Sequence, residues 1–370
     1  MGDNSKSIME NNEIDEIVKK WDLDEVQRNE KLEILKIWKT KLAKDDFETI
    51  LKICCNFNYY SVRLTAEAYL EVFNRNASEI GEMFDSFLKE SLFLPLRRKD
   101  RIESAVDMFS SFRLVNKIDA NKTHVNGPAD YLQKYKASIE HNSKIVREYD
   151  QENGKEEASM QSLKNELVAC SNNKKQKSIK IRIREIEASK NKREQQIENF
   201  YQNYLSVKNL IIIDDFIGTG TSVKNLLEDI AKIITGSKIK IKLFLWVIEA
   251  SKSGIETIVK RAKELKIEIN ISFYIESIDV LAENSIFSSD KIIEVKAVIK
   301  KINVQHGLKR SIYCKNHAIA SFVNAPNNNL TLLSEGNSAW TALFLRTKRN
   351  KDERVMSSIE LKDTYQFLRE

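Results

Sequence analysis

The chain has 370 residues, carries 60 Lys+Arg against 54 Asp+Glu for a formal net charge of +6, and contains only 10 glycines and 3 prolines. Glycine at about 3% and proline below about 1%, against usual shares of about 7% and 5%, exclude collagen-like, mucin-like and Pro/Gly-rich disordered chains. They also disfavour an all-β protein built on many tight turns, and the modest charge permits a basic face without demanding nucleic acid. The four cysteines, Cys54, Cys55, Cys170 and Cys314, form no C-x-x-C pair, and no apolar leader or long apolar run occurs. The chain is therefore expected to be cytoplasmic, with reduced thiols and no membrane partner.

Residues 1–13 are polar and Asn/Ser-rich, which predicts a disordered terminus. From about 14 to 115 the spacing is helical. Leu32, Ile34, Leu35, Trp38 and Leu42 recur on one face, and Asp45 or Asp46 is the expected N-cap of a helix carrying Ile50, Leu51, Ile53, Cys54 and Phe57. Tyr59, Tyr60, Val62, Leu64, Ala68, Leu70 and Phe73 continue an apolar face that reads as core. Leu92-Phe93-Leu94-Pro95 is a short extended apolar segment, followed by the basic cluster Arg97-Arg98-Lys99. Asn126-Gly127-Pro128 marks a turn. Residues 14–130 are thus expected to form an N-terminal helical region together with the first part of an α/β domain.

Between 131 and 206 the sequence becomes almost wholly Lys, Glu, Gln, Asn and Ser. Ile179, Ile183, Ile186, Arg193, Ile197, Phe200 and Tyr204 fall on a 3–4 spacing interrupted at Lys190, a narrow stripe that predicts a coiled coil. Gly154 and Ser171-Asn172-Asn173 read as breaks, so the expectation is a charged antiparallel hairpin inserted into the chain. Its surface is either simply solvated or a docking face for nucleic acid.

After 207 the pattern alternates. Leu210–Ile213, Ile239–Ile248 and Ile267–Ile275 read as strands, and Ser222–Ile234 and Ser253–Leu265 between them as helices. Strand, helix, strand, helix, strand predicts a parallel α/β sheet over 207–346, with a polar C-terminal tail at 347–370. Within it, the run from Leu210 to Ser222 concentrates the chemistry. A buried strand ends in Asp214 and Asp215, and Ile217-Gly218-Thr219-Gly220-Thr221-Ser222 then leads straight into a helix. Ligands of open α/β sheets bind at the carboxyl ends of strands. A helix N-terminus offers unpaired amides and the positive end of its dipole. Two glycines let the backbone turn its amides inward, and the hydroxyls add donors, which suits a phosphate monoester. The carboxylates would repel phosphate but accept hydrogen bonds from sugar hydroxyls, so the pattern suits a ribose phosphate. No Gly-Lys-Ser/Thr run is present, which excludes a Walker A loop, and a dinucleotide fingerprint would need a third glycine near Val223.

This segment resembles the 5-phosphoribosyl 1-diphosphate (PRPP) loop of type I phosphoribosyltransferases, departing from it at Gly218, where Thr or Ala is more usual. The resemblance implies an α/β phosphoribosyltransferase-like parallel sheet with an N-terminal helical region and a helical coiled-coil insertion. It implies that Asp214 and Asp215 hold the ribose hydroxyls and, indirectly through the substrate, Mg²⁺. Ile217, Gly218, Thr219, Gly220, Thr221 and Ser222 would hold the 5′-phosphate. Together with Phe57-Asn58-Tyr59-Tyr60, Ala325-Pro326-Asn327-Asn328-Asn329-Leu330, Trp340 and Leu343-Phe344, the motif resembles the PRTase-CE effectors of bacterial conflict systems, including retrons. In the tail Ser334-Glu335-Gly336 stands where a tryptophan-containing segment is expected. That wider likeness implies an enzyme acting on PRPP or a nucleotide as the toxic effector of a retron-type antiphage system. Its partners would be a reverse transcriptase with its RNA–DNA product, and the hairpin offers a route to oligomers. The alternative is a non-catalytic ribose-phosphate-binding subunit that docks a nucleic-acid-containing partner through the coiled coil. Ser104-Ala105 is the candidate second loop, for pyrophosphate. His306 and His317 read as structural or as acid/base groups, and Asn327-Asn328-Asn329 as a turn or as amides facing a ligand.

Overall fold

A computed structural model describes residues 13–97, 105–200, 206–235, 240–283, 285–310 and 314–347. All of the expected disordered terminus but Glu13, which is helical, and nearly all of the polar tail lie outside these residues, as do Arg98, Lys99, Ser104 and Tyr204.

The core is a four-stranded, wholly parallel sheet in the order β2-β3-β4-β5, formed by Ser91–Pro95, Asn209–Ile217, Lys242–Ser251 and Ile269–Ser277. The expected extended segment at Leu92–Pro95 is its first strand, paired in register with Leu210–Ile213. Strand β3 therefore lies inside the sheet, between β2 and β4, which is why Leu210-Ile211-Ile212-Ile213 reads as an unbroken apolar run.

Helices cover both faces. On one, α8 (Thr221–Ile234) and α9 (Lys252–Leu265) follow β3 and β4, joined by the start of α6 (Pro128–Ala169). Val223, Leu226, Leu227 and Ile230 stand at 3–4 spacing on α8 and bury against Leu210, Ile212, Leu245 and Val247. Burial of each such side chain contributes about 1.5–3 kcal/mol. On the other face, α3 (Val62–Ile80) and α5 (Ala105–Val115) set Tyr69, Val72, Phe109 and Phe112 against Phe93, Ile211, Ile213 and Trp246. The short α4 (Phe84–Lys89) packs on the same face, whereas α1 (Glu25–Lys41) and α2 (Lys44–Cys55) belong elsewhere.

A second core joins the two ends of the chain. Trp38 of α1 stacks on Trp340 at 4.7 Å, and Phe57 stacks on Phe344 at the same separation. Helix α10 (Ile292–Gln305) and the single turn α11 (Thr331–Ser334) complete it. Two short parallel strands, β1 (Asn58–Tyr60) and β6 (Ile319–Ser321), link this core to the sheet domain.

Three local expectations are corrected. Tyr59 and Tyr60 do not continue a helix, because pairing with Ala320 and Ser321 holds them extended and Ser61 starts α3 as its N-cap. Neither Asp45 nor Asp46 caps α2. Its N-cap is Ala43, and Asp46 sits in the first turn, where it pairs with Lys301 of α10 at 2.7 Å. Gly154 does not break the hairpin, since α6 runs through it and the chain reverses only between Ala169 and the start of α7 (Asn173–Phe200). The ion pairs Lys175–Glu166 and Lys190–Glu157 show the two helices running antiparallel. Ile179 is buried in the seam, whereas at Lys190 and Arg193 the contact is closed by ion pairs to Glu157 and Glu156. The structure thus shows a two-helix hairpin, with the polar seam positions neutralised in pairs. Among the described residues no helix is long and apolar enough to cross a membrane.

Candidate functional site

Strand β3 delivers both acids to the carboxyl edge of the sheet. Asp214 is 9% exposed and Asp215 half-buried, so the second carboxylate faces outward more than the first. The Tyr69 hydroxyl, fully buried on α3, donates to the Asp214 carbonyl oxygen at 3.0 Å and fixes the backbone from behind. Burial, and then the charges of Asp215 and Asp214, hold that hydroxyl well above the usual tyrosine range. It therefore stays a donor.

The loop turns on its glycines. Gly220 is the N-cap of α8 with φ 71°, a left-handed conformation that favours glycine. A glycine N-cap brings no side-chain acceptor, so the opening amides of α8 are left to the loop hydroxyls and to any ligand. Thr219 Oγ1 lies 2.8 Å from Thr221 Oγ1 and accepts from the Thr221 amide at 3.4 Å. Thr221 and Ser222 are exposed and Thr219 is half-buried, which places three hydroxyls at the rim. Ile217 differs from the rest of the expected set. Its side chain is 2% exposed and packs in the core under α8, leaving only its backbone for a ligand.

The tertiary structure clamps this loop from two sides. A Cβ on Gly218 would fall 2.7 Å from Asn328 Nδ2 and closer still to the rest of that amide. A Cβ on Gly220 would lie 2.5 Å from the Gly254 carbonyl. Gly254 sits in the first turn of α9, where a Cβ would meet the Gly218 carbonyl and, at 2.8 Å, Ile217 Cγ2. Ser251, the N-cap of α9, donates its hydroxyl to the Gly218 carbonyl and accepts from the Gly254 amide at 3.0 Å. Three glycines and a serine thus bring two successive strand–helix turns into backbone contact. Gly254 carries no signal in the sequence, since a lone glycine inside a helical pattern reads only as a tolerated cost.

The other candidates separate. Asn328 lies over Gly218, whereas Asn329 is buried and brackets Ile319, accepting from its amide at 3.2 Å and donating to its carbonyl. His317 sits beside β3, its ring 5.3 Å from that of Phe216. His306 is not brought there. It caps the end of α10 against Trp340, at 4.8 Å. Ala105 is the buried first residue of α5, and Ser104 lies outside the described residues. The sequence reading missed Glu249, one pair across from Phe216 on β4 and 2% exposed. It accepts from Asn58 Nδ2 at 3.0 Å and from the Tyr60 hydroxyl at 2.9 Å. Burial raises its carboxyl above the usual range, and the surrounding hydroxyls and amide oppose that rise.

Among the described residues, no three His, Cys, Asp or Glu side chains gather to hold a metal. Two carboxylates at a strand end, one of them half-exposed, do fit the way Mg²⁺ is usually held, by one or two carboxylates and the oxygens of a phosphorylated substrate.

A family model described as PRTase-CE matches residues 35–346, from α1 through the buried C-terminal segment, and the chain belongs to that phosphoribosyltransferase-like family. No curated protein and no solved structure matches it.

Proposed function

We propose that this PRTase-CE protein binds PRPP or a related nucleotide over the carboxyl end of β3 and acts on its glycosidic carbon as a toxic effector. The observation that carries the reading is the backbone clamp on the loop. Gly218, Gly220 and Gly254 hold the opening amides of α8 beside two strand-end carboxylates. In this reading the 5′-phosphate sits on the amides and hydroxyls of residues 217–222, where the helix dipole favours an anion. Asp214 and Asp215 accept from the ribose hydroxyls and stabilise positive charge developing on the sugar as the leaving group departs. Mg²⁺ held through the substrate beside these acids would neutralise the departing diphosphate.

The test is calorimetric titration of the full chain with PRPP in the presence of Mg²⁺, alongside pyrophosphate release and nucleotide consumption. An Asp214→Asn/Asp215→Asn double variant removes two charged acceptors, each worth about 1.5–3 kcal/mol, so affinity should fall at least about tenfold. Equal binding by both proteins would remove the basis of the assignment.

The retron-type antiphage role is part of the same proposal. It is supported by the family and by the α6–α7 hairpin, whose charged outer faces are largely exposed and are suited to docking a reverse transcriptase with its RNA–DNA product. Co-purification from a host expressing the neighbouring genes should recover that complex, and deletion of the hairpin should lose it. Recovery of the free chain alone would count against it. Tight PRPP binding with no turnover, partners present, would instead favour the non-catalytic sensor.

A further inference from the structure

We infer that His317 is the proton-accepting group of this site, held in a single tautomer by the Ile278 carbonyl together with Ser277 and Glu249. The identity of its ligand rests on the phosphoribosyl reading above. The geometry of the histidine does not.

His317 is 3% exposed and lies just before β6. Its Nδ1 is 3.2 Å from the Ile278 carbonyl oxygen and 2.9 Å from Ser277 Oγ. A carbonyl oxygen can only accept, so Nδ1 bears the proton and shares it between the two oxygens. Ser277 Oγ is then an acceptor toward the imidazole, and its own hydrogen is free for Glu249, whose carboxylate the Ser277 hydroxyl stabilises. Asn58 and Tyr60 donate to the same carboxylate from β1. The sequence of donors therefore runs one way, from imidazole to hydroxyl to carboxylate. With Nδ1 protonated, Nε2 of the neutral ring is a bare acceptor, and nothing among the described residues bonds it.

Position supplies the second argument. The residue after Asp215 is Phe216, whose ring meets the imidazole edge-on. The His317 amide donates to the Asn328 carbonyl at 3.2 Å, and the Asn328 side chain covers Gly218. The imidazole thus lies against the strand end, and the His317 backbone is tied to the residue that lids the loop. The surroundings of the ring also keep it neutral on balance. Burial, the largest effect, lowers its pKa, Lys315 acts in the same direction, and Asp279 and the Ile278 carbonyl oppose them. A neutral imidazole backed by a buried carboxylate is suited to taking a proton and then stabilising the imidazolium. His306, packed on Trp340, has no such backing among the described residues.

In the transfer step a nitrogen acceptor or water attacks C1 of the ribose. The new C1–N or C1–O bond forms as the C1–O bond to diphosphate breaks, diphosphate leaves with the electron pair, and the proton shed by the nucleophile passes to Nε2. Ser277 and Glu249 are positioning residues.

The test is ¹⁵N-edited NMR on the full chain, which contains only 4 histidines, with His317 assigned by His317→Gln. His317 should be the neutral Nδ1–H tautomer, and both Glu249→Gln and Ser277→Ala should move it toward Nε2–H while leaving PRPP affinity by calorimetry unchanged. Adding PRPP with Mg²⁺ should shift the Nε2 resonance. Where turnover is measured, His317→Gln should lower kcat by about 10²–10⁴-fold without a matching change in KM. An Nε2–H tautomer in the unmodified chain, or a tautomer that ignores both variants, overturns the inference. PRPP binding that leaves His317 unmoved overturns the role in the pocket alone. No PRPP binding at all overturns the functional reading, and the role with it.

Discussion

Gly254→Ala should damage the loop from outside the pocket. Alanine is the better helix former, by about 1 kcal/mol, and the position lies in the first turn of α9, so propensity alone predicts stabilisation. Sterics predict the opposite. The added Cβ would stand 2.8 Å from Ile217 Cγ2 and 3.0 Å from Ser251 Oγ, and closer than either to the Gly218 carbonyl oxygen, where ordinary contact begins at 3.4 Å. Relieving the Ile217 contact alone needs a movement of about 0.6 Å. The neighbours that must move are backbone and a buried side chain, so the adjustment resembles core overpacking, at about 1–3 kcal/mol. Weakening the Ser251–Gly218 hydrogen bond adds about 1 kcal/mol. The net expectation is a loss of about 1–3 kcal/mol, read as a fall of a few degrees in Tm. PRPP affinity should fall with it, because the displaced atoms are the loop itself. Thermal unfolding and calorimetry on the same samples decide the matter. A Gly254→Ala chain that is about 1 kcal/mol more stable, with unchanged PRPP binding, would refute the clamp.

Three further outcomes follow from the packing. Tyr69→Phe removes the donor to the Asp214 carbonyl and leaves that oxygen buried without its tyrosine partner, so denaturant unfolding should register a loss of about 1–3 kcal/mol. Trp340→Ala removes a ring stacked on Trp38 whose Nε1 donates to the Leu332 carbonyl at 2.8 Å. A cost of about 3–5 kcal/mol by equilibrium unfolding would show the C-terminal segment to be core rather than appendage. Glu249 has its carboxyl raised by burial, so the folded state holds its proton more tightly than the unfolded state does. Its contribution is present below the ordinary value of 4.5 and is lost as pH rises through the folded-state value. The stability difference between the wild-type chain and Glu249→Gln should therefore shift against the wild type as pH is raised across that window, and a flat difference would contradict the burial argument.

Much of the sheet was legible because parallel strands buried on both faces must be apolar throughout. Leu92–Leu94 and Leu210–Ile213 could hardly be anything else, and the acids and glycines that follow Ile213 marked the loop. Tyr59 and Tyr60 carry no strand signal, for a related reason. A three-residue strand carries no periodicity of its own, and its partner lies more than 250 residues further along the chain. Gly154 and the Asp45-Asp46 pair show the limit of local signals. Helix α6 runs through Gly154 just before Glu156 and Glu157 pair with α7, and Asp46 found a cation on α10 rather than an amide on its own helix.

The sequence by itself determined the alternation of strands and helices, the charged hairpin and the Asp-Asp-Phe-Ile-Gly-Thr-Gly segment, because each of these is written in neighbours a few residues apart. Only the tertiary structure decided what surrounds that segment. Tyr69, His317, Asn328 and the β4–α9 pair Glu249 and Gly254 come from four separate stretches of the chain, and hydrogen bonds and close backbone approach gather them at one edge of the sheet. Contacts between residues so distant in sequence leave no spacing to read. They exist only once burial of the apolar strands has fixed where every strand ends.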